Sequence, residues 1–509
     1  MDASTDARQS EMTGSARYQA TVDSLTGLRF IAALSVLVAH ATNGVMTFEP
    51  KPALVNYFSQ GPGIGMPLFF VLSGFVIHYN YGHSFRAACV APLIDFFIAR
   101  FARLYPLYLL LLAVFILNER LLPGILSGNY DLWVFPRYFM LWQAWLIEYQ
   151  GTTWFGHLLL PPAWSISVEV FFYMLYPLLA VYLLRIRAPS HAGLIFAALV
   201  IAYYIMIIFC YHKFDALRLW GNDTFQINSD PQNALLGWLL NTGPIGRLFE
   251  LLMGALAAQT YLLLRDRPPS KRENIVGSVG LLVTVCLASV FYLGIQNNPF
   301  LAFAGSYPGG LSPLLSVIIF CCARYRNPLS HALESRSMVR MGEASYSIYL
   351  IHLFTLQLFN QQLTFSYNAQ NVVIWALVIL GAISFTIVVS LGTYQVVEAP
   401  SRAYLRRTYG QSCSAFVPPL PAVNLFKNGN ATAAIRQGCA GLSKCSYLID
   451  VNRIGDPAQG CAKSFSVAYR CPFDAQTRTG YSPPEANGRR IVLDCTKDSS
   501  QLPPIKDIQ

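Results

Sequence analysis

The chain has 509 residues, of which 54% are hydrophobic, 14% aromatic and only 12% charged. An average soluble domain carries about 25% charged residues, so with a mean hydropathy of +0.41 the composition excludes an ordinary soluble enzyme and defines a polytopic membrane protein. The formal net charge of +10 fits cytoplasmic loops and anionic lipid, and no basic stripe with interleaved aromatics argues for a nucleic-acid partner.

Residues 1–24 are polar, without aliphatic runs, and read as a flexible cytoplasmic tail. No cleavable signal peptide is evident, because the first apolar run starts late and lacks a basic leader. Ten apolar runs follow, judged against the ~20 residues that cross a bilayer: 25–44, 63–81, 104–121, 163–184, 192–211, 245–264, 275–293, 310–323, 342–363 and 372–397. The aromatic stretch 132–147 contains Pro136 and Arg137 and reads as an interfacial or re-entrant segment. Basic residues gather in every second connection: Arg86, Arg100 and Arg103; Arg185 and Arg187; Arg265, Arg267, Lys271 and Arg272; Arg324, Arg326, Arg336 and Arg340; Arg402, Arg406 and Arg407. That alternation predicts both termini in the cytoplasm.

The spans carry few ionisable groups, and each is costly in hydrocarbon. The first reads LTGLRFIAALSVLVAH (25–40), with Arg29 and His40 near its two ends. At about 100° per residue both fall on roughly one helix face, about 16 Å apart along the axis. They mark a site or pathway, against a reading in which Arg29 snorkels and His40 sits in the opposite headgroup layer. In the second span Ser73 and Gly74 suit close helix packing. Arg100 and Arg103, at i and i+3 in RFARLYP, suit phosphate oxygens or simple positive-inside anchoring. In the fourth span, AWSISVEVFFYMLYP (163–177), Glu169 has Ser165 one turn before it and Tyr173 one turn after. If span four runs inward, Glu169 lies at the depth of His40, where the two can form a base and its orienting carboxylate. In the ninth, His352 lies near mid-membrane with Tyr349 on the same face, as a core histidine or a catalytic one.

After Gly410 the composition turns polar. CSYLIDV, KSFSVAYRC and RIVLDC alternate with period two and read as strands of a small Cys-containing β domain, 412–509. The fold class is therefore an all-α polytopic membrane protein of about ten transmembrane helices followed by a small all-β domain. Six cysteines lie in that tail: Cys413, Cys439, Cys445, Cys461, Cys471 and Cys495. A disulfide framework needs an oxidising compartment, whereas the loop charges put the tail in the cytoplasm; the expectation adopted is mostly buried thiols.

Six of these stretches together resemble the acyltransferase-3 family of ten-span bacterial membrane O-acyltransferases. They are LTGLRFIAALSVLVAH, LFFVLSGFVI, ARFARLYPLYL, AWSISVEVFFYMLYP, GEASYSIYLIH and VVEAPSR, in family order between residues 25 and 407. The resemblance implies a multi-pass acyltransferase domain over 25–407 in the bacterial inner membrane. Its implied partners are acyl-CoA, with acetyl-CoA the expected donor, the lipid bilayer, and an envelope glycan or lipid-linked saccharide whose hydroxyl accepts the acyl group. It further implies Arg29 and His40 as the signature pair, Arg100 and Arg103 as the donor-associated basic stretch, and Glu169 and His352 within family motifs; no metal is implied. The tail stretch IGDPAQGCAKSFSVAYRC (454–471) is similar to the closing motif of galactose-binding lectin domains of the sea-urchin-egg type, with Ala458 where that motif has Cys. A non-enzymatic glycolipid carrier or flippase, and a membrane anchor for a carbohydrate- or protein-binding tail, are the competing classes.

Overall fold

The structure, a computed structural model, describes residues 3–44, 62–85, 90–117, 133–146, 149–150, 153–154, 159–225, 238–265, 267–295, 298–306, 310–362, 372–409, 439, 444–448, 465–470, 477–482, 490–494 and 507–508. The chain forms two compact units, one of residues 1–83 and 96–410, the other of residues 84–95 and 411–509.

The main helices are α1 (Ala3–Gly44), α2 (Pro62–Tyr81), α3 (Val90–Leu117), α4 (Val134–Phe139), α5 (Ala163–Leu183), α6 (Pro189–His212), α7 (Leu248–Leu264), α8 (Lys271–Gly294), α9 (Ser312–Arg324), α10 (Ser345–Gln362) and α11 (Val372–Thr393). Among the described residues seven helices are long and apolar enough to cross a membrane: Asp23–Asn43, Gly63–Tyr81, Pro92–Leu117, Ala163–Leu183, Pro189–His212, Lys271–Gly294 and Trp375–Leu405. The shorter apolar helices Leu248–Leu264, Ser312–Arg324 and Ser345–Phe359 stand at predicted spans six, eight and nine.

Two sequence expectations change here, and one holds. The polar lead is helical from Ala3 onward and continuous with the first span; it holds no proline to break the helix, and Ala, Arg, Gln and Glu are good helix formers. The third span begins earlier than residue 104, at Pro92, so Arg100 and Arg103 lie within a helix rather than in a loop. The stretch 132–147 forms no span: it holds the six-residue α4 and a 3-10 turn at Gln143–Trp145. It turns at Leu141, whose φ of 55° is unusual for a branched residue. Ser167 holds that turn by donating to the Leu141 carbonyl at 2.5 Å, and Tyr108 donates to the Tyr138 carbonyl at 2.6 Å.

Helix α1 is buried on two sides. Leu28 and Ala32 pack with Leu72, Phe75 and Leu315, while Phe30, Ala33 and Leu37 pack with Ile348, Trp375 and Ile379. Glycines set the closest approaches. A Cβ on Gly74 of α2 would strike the Leu251 carbonyl of α7, and a Cβ on Gly254 of α7 would strike the Val71 carbonyl of α2. The two helices therefore meet backbone to backbone, as small residues permit in membranes, and Gly74 fulfils the packing role its sequence context suggests. Arg324, at the end of α9, donates to the carbonyls of Leu264 and Arg267 at 2.7 and 2.9 Å and so caps the end of α7.

In the second unit the strands are β1 (Lys444–Leu448), β2 (Phe465–Arg470), β3 (Thr477–Ser482), β4 (Arg490–Asp494) and β5 (Asp507–Ile508). β1 pairs antiparallel with β4, and β2 lies between β3 and β5. The three alternating sequence segments thus supply β1, β2 and β4. Cys439 and Cys445 form a disulfide, which corrects the buried-thiol expectation for these two: a six-residue separation closes readily where their Cα atoms are 5.4 Å apart. Cys413, Cys461, Cys471 and Cys495 lie outside the described residues.

Candidate functional site

Five helices of the first unit converge on one cavity. α1 contributes Arg29, α2 Ser73 with Phe69 and Phe70, α3 Arg103, α5 Ser165 and Glu169, and α10 Ser345, Tyr346 and Tyr349. Two guanidiniums and one carboxylate line a small space among apolar helices. The excess positive charge suits an anionic guest.

Local helix geometry places each group. Ser165, Glu169 and Tyr173 are spaced by four and share one face of α5. Ser73 Oγ donates to Glu169 Oε1 at 3.2 Å, and the Tyr173 hydroxyl donates to the same oxygen at 2.5 Å. A carboxylate with two donors is held in one orientation. Ser73 therefore does more than pack, which its small size alone did not reveal. On α10, the Tyr349 hydroxyl donates to the Pro162 carbonyl at 3.1 Å and receives from Ser165 Oγ at 2.7 Å.

Arg100 and Arg103 separate in role although they stand one turn apart. Arg103 lines the cavity. Arg100 is buried, its guanidinium 4.7 Å from the ring centre of Tyr81, 5.6 Å from that of Phe96 and 5.5 Å from that of Tyr173. Such aromatic faces stabilise a desolvated cation. They explain how a helix predicted to start after the arginines can include them. Arg100 stacks on Tyr173, whose hydroxyl donates to Glu169 of the cavity lining.

Arg29 and His40 occupy two different places. Arg29 shares the cavity with Glu169. Half-buried His40 faces His352 of α10, with ring centroids 4.9 Å apart. In place of the expected His40–Glu169 pair, His40 faces His352, and Glu169 lines the cavity together with Arg29. Depth estimated from residue counts misses this because it takes no account of how α5 is set against α1. Each histidine bonds through Nδ1 to a carbonyl of its own helix: His40 to Val36 at 2.9 Å, and His352 to Tyr349. A carbonyl only accepts, so both Nδ1 atoms carry the proton and both Nε2 atoms are left to accept or to take up a proton. Tyr349 joins the two places, since its phenol lines the cavity and its carbonyl holds His352.

Two further buried polar groups escaped the sequence reading. His78 of α2 lies between the Tyr176 hydroxyl at 2.9 Å and Gln259 Oε1 at 2.8 Å. Arg247 pairs with Glu250 at 3.1 Å, and its guanidinium is 5.2 Å from the ring centres of both Phe70 and Trp164. The signal was present: a cation and a carboxylate at i and i+3 in an otherwise apolar run. Glu398 accepts from Ser347 Oγ at 2.7 Å.

The acyltransferase-3 family, described as an acyltransferase domain, matches residues 22–393. A Staphylococcus aureus (strain COL) protein provisionally named an O-acetyltransferase is 24% identical over 389 residues, 75% of this chain and 57% of its own length. A Bacillus subtilis (strain 168) protein provisionally named the peptidoglycan O-acetyltransferase YrhL is 25% identical over 407 residues, 77% of this chain and 56% of its own. The acyltransferase MdmB of Streptomyces mycarofaciens is 29% identical over 343 residues, 66% of this chain and 79% of its own. The chain therefore spans little more than half the length of the first two relatives. No solved structure matches it. The lectin-like motif of the tail falls largely outside the described residues, and the family match ends before it.

Proposed function

The chain belongs to the acyltransferase-3 family, and from that premise we propose that it transfers an acyl group, acetyl in the first instance, from a coenzyme A thioester to a hydroxyl of an envelope or exported glycan. The observation that carries this reading is the cavity holding Arg29, Arg103 and Glu169, joined through Tyr349 to the His40–His352 pair. The cavity supplies cations for the anionic donor, and the pair supplies an imidazole nitrogen free to act as a base.

In this reading Arg29 and Arg103 hold phosphate or carbonyl oxygens of the donor. Glu169, fixed by Ser73 and Tyr173, orients them. Neutral His40 takes the proton of the acceptor hydroxyl at Nε2 as the oxygen attacks the thioester carbon. The carbon–sulfur bond breaks and the proton passes to the departing thiolate. The relative named as a peptidoglycan O-acetyltransferase favours an envelope glycan as acceptor.

We place the protein in the bacterial inner membrane. The basic connections support a cytoplasmic N-terminus. The test is envelope-glycan mass analysis with labelled acetyl-CoA, with and without the full chain. Label on glycan hydroxyls supports the transferase. Saccharide moved across the membrane with no label incorporated supports a carrier instead.

A further inference from the structure

His352 is 2% exposed, and its Nε2 has no hydrogen-bond partner among the described residues. Its Nδ1 is committed to the Tyr349 carbonyl. A proton on Nε2 would make an unpaired buried cation, which costs far more than a buried lone pair; Nε2 is therefore an acceptor. Buried acceptors left open are uncommon and call for an explanation. The ring of His40 lies beside this one, at 4.9 Å between centroids. His40 in its resting state has no donor to offer there, because its one N–H is spent on Val36. Once His40 gains a proton, its Nε2–H becomes a donor and the open lone pair gains a partner.

We propose that His352 is a positioning residue for acyl transfer, a buried acceptor that is satisfied only when His40 is protonated. The inference rests on the transferase reading given above. The hydroxyl proton moves to His40 Nε2 as the acceptor oxygen bonds to the thioester carbon, the resulting N–H⁺ is shared in a three-centre bond between that oxygen and His352 Nε2, the carbon–sulfur bond breaks, and the proton passes to the departing thiolate. His352 begins and ends neutral. An interaction absent from the ground state and present in the transition state raises kcat and leaves substrate binding alone.

The experiment uses the full chain in membranes, with acetyl-CoA as donor and the endogenous envelope glycan as acceptor, and rates are normalised to inserted protein. His352→Phe keeps a ring and removes the acceptor; kcat should fall about 10- to 100-fold, the effect of one hydrogen bond to a charged group, with the acetyl-CoA KM unchanged. His352→Gln restores an accepting oxygen and should recover part of that loss. In the His40→Ala background, His352→Phe should cost nothing more, because residues acting as a unit are non-additive. A wild-type rate in His352→Phe, a matching rise in KM, or a full additional loss in the double variant overturns the inference and leaves the transferase reading standing. Absence of thioester-dependent acetylation by the unaltered chain overturns the transferase reading and this inference with it.

Discussion

The carbonyl oxygen of Tyr349 holds the Nδ1–H of His352, so the residue whose phenol lines the cavity also orients the deeper imidazole. The two duties separate on substitution. Tyr349→Phe keeps the carbonyl and with it the orientation of His352. It removes the phenol that receives Ser165, which retains the Pro162 carbonyl at 3.0 Å. The expected cost is about 1 kcal/mol of stability and a rate within about tenfold of the parent. Thermal unfolding and acetyl transfer measure both, and a loss approaching that of His40→Ala would place the phenol in the chemistry.

His40→Ala removes a half-buried imidazole whose Nε2 is open to an acceptor hydroxyl. Transfer should fall by ~10²–10⁴-fold while the amount of inserted protein is unchanged, since the hydrogen bond of His40 runs to Val36 within its own helix. Activity near the parent level would remove His40 from the mechanism.

Arg103 and Arg100 should respond differently. Arg103→Ala takes a cation out of the cavity and should raise the acetyl-CoA KM about 10- to 100-fold, the range for one charge-assisted hydrogen bond. Arg100→Lys keeps the charge but loses the planar group seated on Tyr81, Phe96 and Tyr173, an exchange that is not conservative at a stacked site. It should lower thermal stability by about 1 kcal/mol and leave the donor KM near the parent value. Equal KM effects would show that both arginines touch the donor.

The helices were largely legible in the sequence, because runs such as 163–184 have the length and composition that only a membrane span needs. Arg29, His40, Glu169 and His352 were legible as costly groups. Their partners were not. Hydropathy gives the depth of a residue only coarsely and says nothing of which neighbour it faces, so the sequence points Glu169 at His40, whereas Ser73 and Tyr173 hold it. Arg100 pushed the predicted start of the third span too far along the chain, because a hydropathy count penalises the cation without crediting the three rings around it. The N-terminal lead was polar by composition, and composition does not distinguish a coil from a helix that simply continues.

The Cys439–Cys445 disulfide sets the tail against the charge pattern of the loops. A disulfide persists in an oxidising compartment. In sealed cells treated with a reductant and then with a thiol reagent, neither of which crosses the inner membrane, Cys439 and Cys445 should label only after the reduction step. Labelling that appears only once that membrane is opened would return the tail to the cytoplasm and make the bond a transient one.

The Gly74–Gly254 contact has a mechanical consequence. At Gly74 and Gly254 no side chain separates α2 from α7, so the two backbones brace each other there, and α2 carries Phe69, Phe70 and Ser73 of the cavity lining. That side behaves as the fixed jaw of a vice. On the transferase reading, a thioester too bulky for the resting space enters by a swing of the opposite side, formed by α5 and α10. The fastening between the two sides is the 3.2 Å hydrogen bond from Ser73 of α2 to Glu169 of α5, a charge-assisted bond that opens for about 1.5–3 kcal/mol.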